Sequence, residues 1–140
     1  MMKDIPLDYI AKTETDFLNY AQEFAKQCPR EYSIALHGTL GAGKTTFTRG
    51  LGKAWHIDTV KSPSFSILDV HRGDRTLIHI DAYRLKPDIK NPFDWDDLCV
   101  PPFCIVVEWP ECLNLPIGFD AHITLEILPE NFRRIHVVFS

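Results

Sequence analysis

His37-Gly38-Thr39-Leu40-Gly41-Ala42-Gly43-Lys44-Thr45-Thr46 is the stretch that decides the reading of this chain of 140 residues. Residues 38–45 fit Gly-x4-Gly-Lys-Thr, the spacing of a phosphate-binding loop. That motif requires a strand before it and a helix after it. Tyr-Ser-Ile-Ala-Leu-His at 32–37 has strand character, and residues 47–55 read as a helix. Glycines let successive backbone N–H groups turn inward onto an anion, and the helix that follows adds the positive end of its dipole. Lys44 is expected to reach the β- and γ-phosphates, and the Thr45 hydroxyl to sit on Mg²⁺. Thr39, Leu40, Gly41, Ala42, Gly43, Lys44, Thr45 and Thr46 are therefore the candidate nucleotide-binding positions. The plain alternative is a glycine-rich turn beside a chance lysine, and the flanking strand and helix weigh against it.

Working outward, the length suggests one domain over residues 1–140. With 45% hydrophobic and 24% charged residues, the composition is that of an ordinary globular protein. No apolar run approaches membrane-spanning length, and the first residues lack the apolar core of a signal peptide, so a cytoplasmic location without membrane contact is expected. Cys28, Cys99, Cys104 and Cys112 form no C-x-x-C pair and are expected to be scattered, half-buried thiols. The net charge of −4 argues against nucleic acid as a tightly held direct ligand. Residues 44–90 carry 9 basic and 5 acidic side chains, against 2 and 8 in residues 91–140. A positive middle third around the loop suits a polyanionic nucleotide.

Residues 13–27 read as a helix, with Phe17, Tyr20, Ala21, Phe24 and Ala25 at helical spacing, Thr13 as N-cap and Pro29 as the stop. Residues 56–66 are irregular. Within them Lys61-Ser62-Pro63-Ser64-Phe65 lies where P-loop proteins place a γ-phosphate-sensing switch, although a simple Ser-Pro turn has the same spelling. Residues 67–70 and 76–80 flank a turn-rich connection and read as a hairpin, which makes the sheet mixed rather than purely parallel. A short helix is expected near Asp96-Asp97-Leu98, folded back by Trp95 and Leu98. Residues 121–128 and 133–139 alternate as a terminal hairpin, with a turn at Pro129-Glu130-Asn131.

Two strands end in carboxylates. Asp81 emerges from an apolar strand, where P-loop enzymes hold Mg²⁺ or its water. Arg84 follows close by, as a candidate for phosphate or a partner. His79 and Arg84 equally suit structural hydrogen bonds. Phe103-Cys104-Ile105-Val106-Val107 is the most apolar run and ends in Glu108, in the layout of a Walker B strand. A carboxylate there is costly unless something positive meets it, and Mg²⁺ beside Thr45 would do so. Trp109 reads as a base-stacking or switch residue or as plain packing, with packing the favoured reading. Arg133 and Arg134 are the only basic residues after Lys90, and either one, or neither, serves an anion.

The blocks at residues 38–50, 61–65, 79–85 and 107–111 together resemble the signature blocks of the TsaE (YjeE) family, in order and at fitting spacing, over roughly residues 5–139. The resemblance implies an α/β fold, a P-loop NTPase-like mixed parallel and antiparallel sheet flanked by helices. It implies an ATPase using ATP and Mg²⁺ in the pathway that places threonylcarbamoyladenosine next to the anticodon of certain tRNAs. Its partners would be TsaD and TsaB, with tRNA met only through that complex. The resemblance further implies Lys44 on phosphate, Thr45 and Glu108 as Mg²⁺ ligands, and Asp81 as a catalytic or water-positioning carboxylate. It makes the piece holding Ser64 the switch, and brings residues 13–17 and Arg133 toward the nucleotide. The chain departs from the family in having Ser64 where Thr is usual, Phe17 where Thr is frequent, and 92–96 in place of a glycine-containing block.

Two other classes are compatible with the loop. A small-molecule or nucleotide kinase normally adds an Arg-rich lid, which residues 91–140 lack. A nucleotide-gated binding module with incidental hydrolysis shares the same residues and differs only in what hydrolysis accomplishes. A GTPase would carry Asn-Lys-x-Asp, which is absent from the sequence.

Overall fold

Residues 32–36 are buried at five consecutive positions, a pattern only a strand covered on both faces can satisfy. That strand, β2 (Glu31–Gly38), is the centre of the fold. The computed structural model describes residues 4–61, 67–84, 94–113 and 118–140. The switch piece with Ser64, the side chain of Arg84 and residues 85–93 lie outside the described residues.

Six further strands join β2: β1 (Asp8–Ala11), β3 (Leu68–Arg72), β4 (Thr76–Asp81), β5 (Phe103–Glu108), β6 (Ala121–Ile127) and β7 (Arg133–Phe139). The spatial order is β1-β7-β6-β2-β5-β4-β3. The inner strands β6, β2, β5 and β4 run parallel, and both edges are antiparallel: β3 on β4 at one side, β7 on β6 and β1 on β7 at the other. The mixed α/β sheet and both expected hairpins are therefore present. Strand β1 was not expected from the sequence.

Two helices cover one face. The first, α1 (Glu14–Gln27), is capped by Thr13, whose hydroxyl accepts from the Asp16 amide at 3.0 Å. The second, α2 (Lys44–Ala54), begins three residues earlier than its apolar pattern suggests, because the loop lysine already has helical backbone. Gly50 allows the two helices to meet: a Cβ there would stand 2.6 Å from the Ala21 methyl. Phe17, Tyr20 and Phe24 of α1 close on Phe47 and Leu51 of α2 and on Ile34, Leu36 and Val106 of the sheet. A smaller cluster of Ile78, Ile80, Phe103, Ile105 and Val107 fills the other face under α3 (Trp95–Leu98), with Trp95 and Leu98 packed against it as expected.

Arg75 ties the β3–β4 hairpin to the end of α1. It donates to the Pro29 carbonyl at 2.7 Å and to the Cys28 carbonyl at 3.1 Å, with its guanidinium 4.7 Å from the Trp55 ring centre. All four thiols are free, but only Cys99 is half-buried; Cys28 and Cys104 are in the core and Cys112 is exposed. Among the described residues no helix is long and apolar enough to cross a membrane.

Candidate functional site

The loop between β2 and α2 has two left-handed glycines, Gly41 at φ +82° and Gly43 at φ +108°. A side chain at either would be strained. At Gly43 it would also meet the Phe17 ring, 3.1 Å from the position of the missing Cβ. Gly43 is the N-cap of α2 and gives it no side-chain cap, so the first-turn amides remain for an anion. Ala42 is buried and its amide bonds the Thr39 carbonyl at 3.0 Å, which tightens the loop. Leu40 projects outward, 92% exposed. Thr45 and Thr46 are half-buried on the first turn.

Lys44 is only 8% exposed. Its ammonium donates to the Gly38 carbonyl at 2.8 Å and lies 4.3 Å from the centre of the Trp109 ring. Trp109 stands just past β5 in a left-handed backbone conformation, φ 57°, with its ring 5.0 Å from that of Tyr83. The indole thus packs over the loop lysine, and this partner could not be read from the sequence because the chain turns sharply after β5.

The carboxylates come together through the sheet. Strands β4 and β5 are parallel with Asp81 opposite Glu108, so both side chains leave adjacent strand ends. Lys44, Thr45, Asp81 and Glu108 line one cleft of about 300 Å³ whose wall is the glycine loop. The Asp81 carboxylate accepts from the Tyr83 amide at 3.1 Å. Glu108 is 5% exposed, and its Oε2 lies 2.6 Å from Nε2 of the fully buried His79. Periodicity had no means of revealing this pair, because its members are on different strands.

A second cavity of about 240 Å³ shares Gly41, Gly43 and Thr46 with the cleft and continues along Lys12, Thr13, Phe17, Asn131 and Arg133. Arg133 lies here, donating to the Gly41 carbonyl at 3.3 Å and to both oxygens of Asn131 at 2.9 Å. It braces the loop with the tip of the terminal hairpin. Arg134 is elsewhere, paired with Asp8 at 2.8 Å and Glu126 at 3.5 Å.

The donors suit Mg²⁺. A hydroxyl and two carboxylates are hard oxygen ligands, and Mg²⁺ is characteristically held by one or two carboxylates plus substrate phosphates. Among the described residues no cluster of three or more His, Cys, Asp or Glu could cage a metal unaided. A hydroxyl with two carboxylates is the kind of set that shares an ion with substrate phosphates.

Beside the loop, His37 Nε2 and His122 Nδ1 are 3.0 Å apart. Burial, then the neighbouring His122, holds the His37 pKa below its ordinary 6.5, and burial lowers that of His71. Depressed histidine values mean that the unfolded chain binds more protons, so stability is highest above the ordinary value and falls as pH drops through it. The unfolding free energy, measured in urea, is expected to decrease from pH 7 to pH 5, and less steeply in His37→Asn. An equal slope in that variant would remove His37 from the account.

The family model described as "Threonylcarbamoyl adenosine biosynthesis protein TsaE" matches residues 11–135. The chain is 37% identical over 134 residues to the tRNA threonylcarbamoyladenosine biosynthesis protein TsaE of Aquifex aeolicus, covering 93% of this chain and 94% of that one. It is 37% identical over 110 residues to the protein of the same name from Nostoc sp., covering 74% and 68%. The crystal structure of YdiB from Bacillus subtilis superposes with a TM-score of 0.75 at 24% identity, over 96% of this chain and 86% of that one, a likeness of fold. With the family model matching residues 11–135, and a relative matched over more than nine-tenths of both chains, this protein belongs to the TsaE family of threonylcarbamoyl adenosine biosynthesis proteins.

Proposed function

We propose that this protein is a Mg²⁺-dependent ATPase of the machinery that places threonylcarbamoyladenosine next to the anticodon of tRNA. It binds the TsaD–TsaB pair and resets it between turnovers. The observation that carries the reading is the single cleft lined by Lys44, Thr45, Asp81 and Glu108 at the end of a left-handed glycine loop. The adjoining cavity by Phe17 and Arg133 has room for the rest of a nucleotide.

In this reading the loop amides and Lys44 hold the β- and γ-phosphates. Thr45 and Glu108 hold the metal, and Asp81 orients the attacking water. Bound Mg²⁺ supplies charge neutralisation on the phosphate oxygens. Water adds to the γ-phosphorus, the bridging P–O bond breaks, and ADP and phosphate leave. The chain provides positioning and charge rather than a covalent nucleophile, and phosphoryl transfer to water requires little more. Among the described residues Lys44 is the one cation lining the cleft. Slow hydrolysis alone is expected, with Arg84 or the partner supplying or ordering a further group. The acidic balance leaves tRNA to be met through the complex, in the cytoplasm.

The test is phosphate release with and without purified TsaD and TsaB, in the presence and absence of substrate tRNA. Stimulation by the pair is expected. Equal rates in all mixtures, or transfer of phosphate to a small acceptor, would defeat the assignment.

A further inference from the structure

The contact between His79 and Glu108 extends the site by one residue. His79 is fully buried on β4, and Glu108 is 5% exposed at the end of β5. The register places His79 opposite Val106, so Glu108 lies two residues further along on the same face, one diagonal step away. The nitrogen–oxygen distance is 2.6 Å. An ionised carboxylate only accepts, so the ring must donate from Nε2. Its other nitrogen, Nδ1, is buried without a hydrogen-bond partner. A buried polar atom left unpaired is a cost to the fold. On that face Leu77 and Val106 are fully buried and apolar, and Asp69 stands opposite His79 across the β3–β4 ladder.

We propose that His79 is a positioning residue for the metal–nucleotide site, fixing Oε2 of Glu108 and leaving Oε1 as the oxygen presented to the cleft. This inference rests on the ATP and Mg²⁺ reading above. A carboxylate at a strand end has a free χ2 and χ3. One fixed oxygen removes that freedom before the ion arrives. Partners that orient ligands in this way change metal affinity by about 10–100-fold when removed. Glutamine is the informative substitution, because its Nε2 is as many bonds from Cα as the imidazole Nε2 and it donates without a ring. Asparagine is one bond short.

The experiment is calorimetric binding of ADP across a Mg²⁺ titration, and again in chelator, for wild type, His79→Gln, His79→Asn and His79→Leu. The Mg²⁺ concentration for half-maximal enhancement of ADP binding is expected to rise about 10–100-fold in the Asn and Leu variants. It should stay within about threefold of wild type in His79→Gln. Affinity in chelator should be unchanged in all of them. A Gln variant as impaired as Leu, a Leu variant with an unaltered Mg²⁺ requirement, or equal losses with and without Mg²⁺ would each overturn the proposal. If His79→Leu fails to fold, the contrast between Gln and Asn decides. Wild type that binds ADP with no response to Mg²⁺ would instead bring down the metal–nucleotide reading itself, and this inference with it. Intact wild-type response beside an unaffected His79→Leu removes only the positioning role.

Discussion

Lys44→Ala is expected to cut kcat/KM for ATP hydrolysis by about 10²–10³-fold, the usual cost of deleting one preorganised charge partner of a developing anion. The structure makes this substitution cleaner than most. The lysine is held by a backbone carbonyl and an indole face, not by a carboxylate, so its removal leaves no buried acid unpaired. Deleting a nearly buried ammonium should leave thermal stability close to wild type, and that control separates lost chemistry from lost fold. Lys44→Arg should not rescue, since a planar fork does not replace a compact charge beneath the Trp109 ring. Hydrolysis persisting within threefold of wild type in Lys44→Ala would mean that another cation carries the phosphates.

Phe47→Ala is expected to lose about 3–5 kcal/mol of stability, measured by urea unfolding. Phe47 is fully buried on the first turns of α2. Its ring meets Phe17 edge-on at 5.9 Å, Phe24 at 6.2 Å and Tyr20 at 6.4 Å, so it joins α2 to α1. Three aromatic neighbours cannot all relax into the space, which places the cost at the upper end for a large-to-small change. Against a total of about 5–15 kcal/mol, the loss should lower the melting temperature by on the order of 10–20 °C. Phe47→Leu, which keeps most of the volume, should cost less than about 1.5 kcal/mol. A loss below about 1 kcal/mol for the alanine variant would show that α1 collapses onto α2 without strain.

Most of the secondary structure was legible because its signals are local. Thr13 and Pro29 bracket α1 in a few bonds of chain, and the hairpin at 133–139 announces itself by alternation. Strand β1 was not legible. Asp-Tyr-Ile-Ala has no alternation of its own, and it is a strand because the edge of β7 offers Tyr9 and Ile10 the partners Ile135 and Arg134. The order of strands was equally hidden: nothing near residue 31 says that β2 lies between β5 and β6.

The site divides in the same way. Gly-x4-Gly-Lys-Thr, the family, and the two strand-end carboxylates were readable from the chain alone, because phosphate binding by backbone amides needs a fixed short spacing and a buried acid stands out in an apolar run. Only the tertiary structure decided that Asp81 and Glu108 emerge side by side, that Trp109 covers Lys44, that Arg133 braces the loop while Arg134 does not, and that His79 holds Glu108. Those pairings join residues far apart in sequence. Their geometry is set by sheet register and core packing, and these are properties of the whole folded chain rather than of any stretch of it.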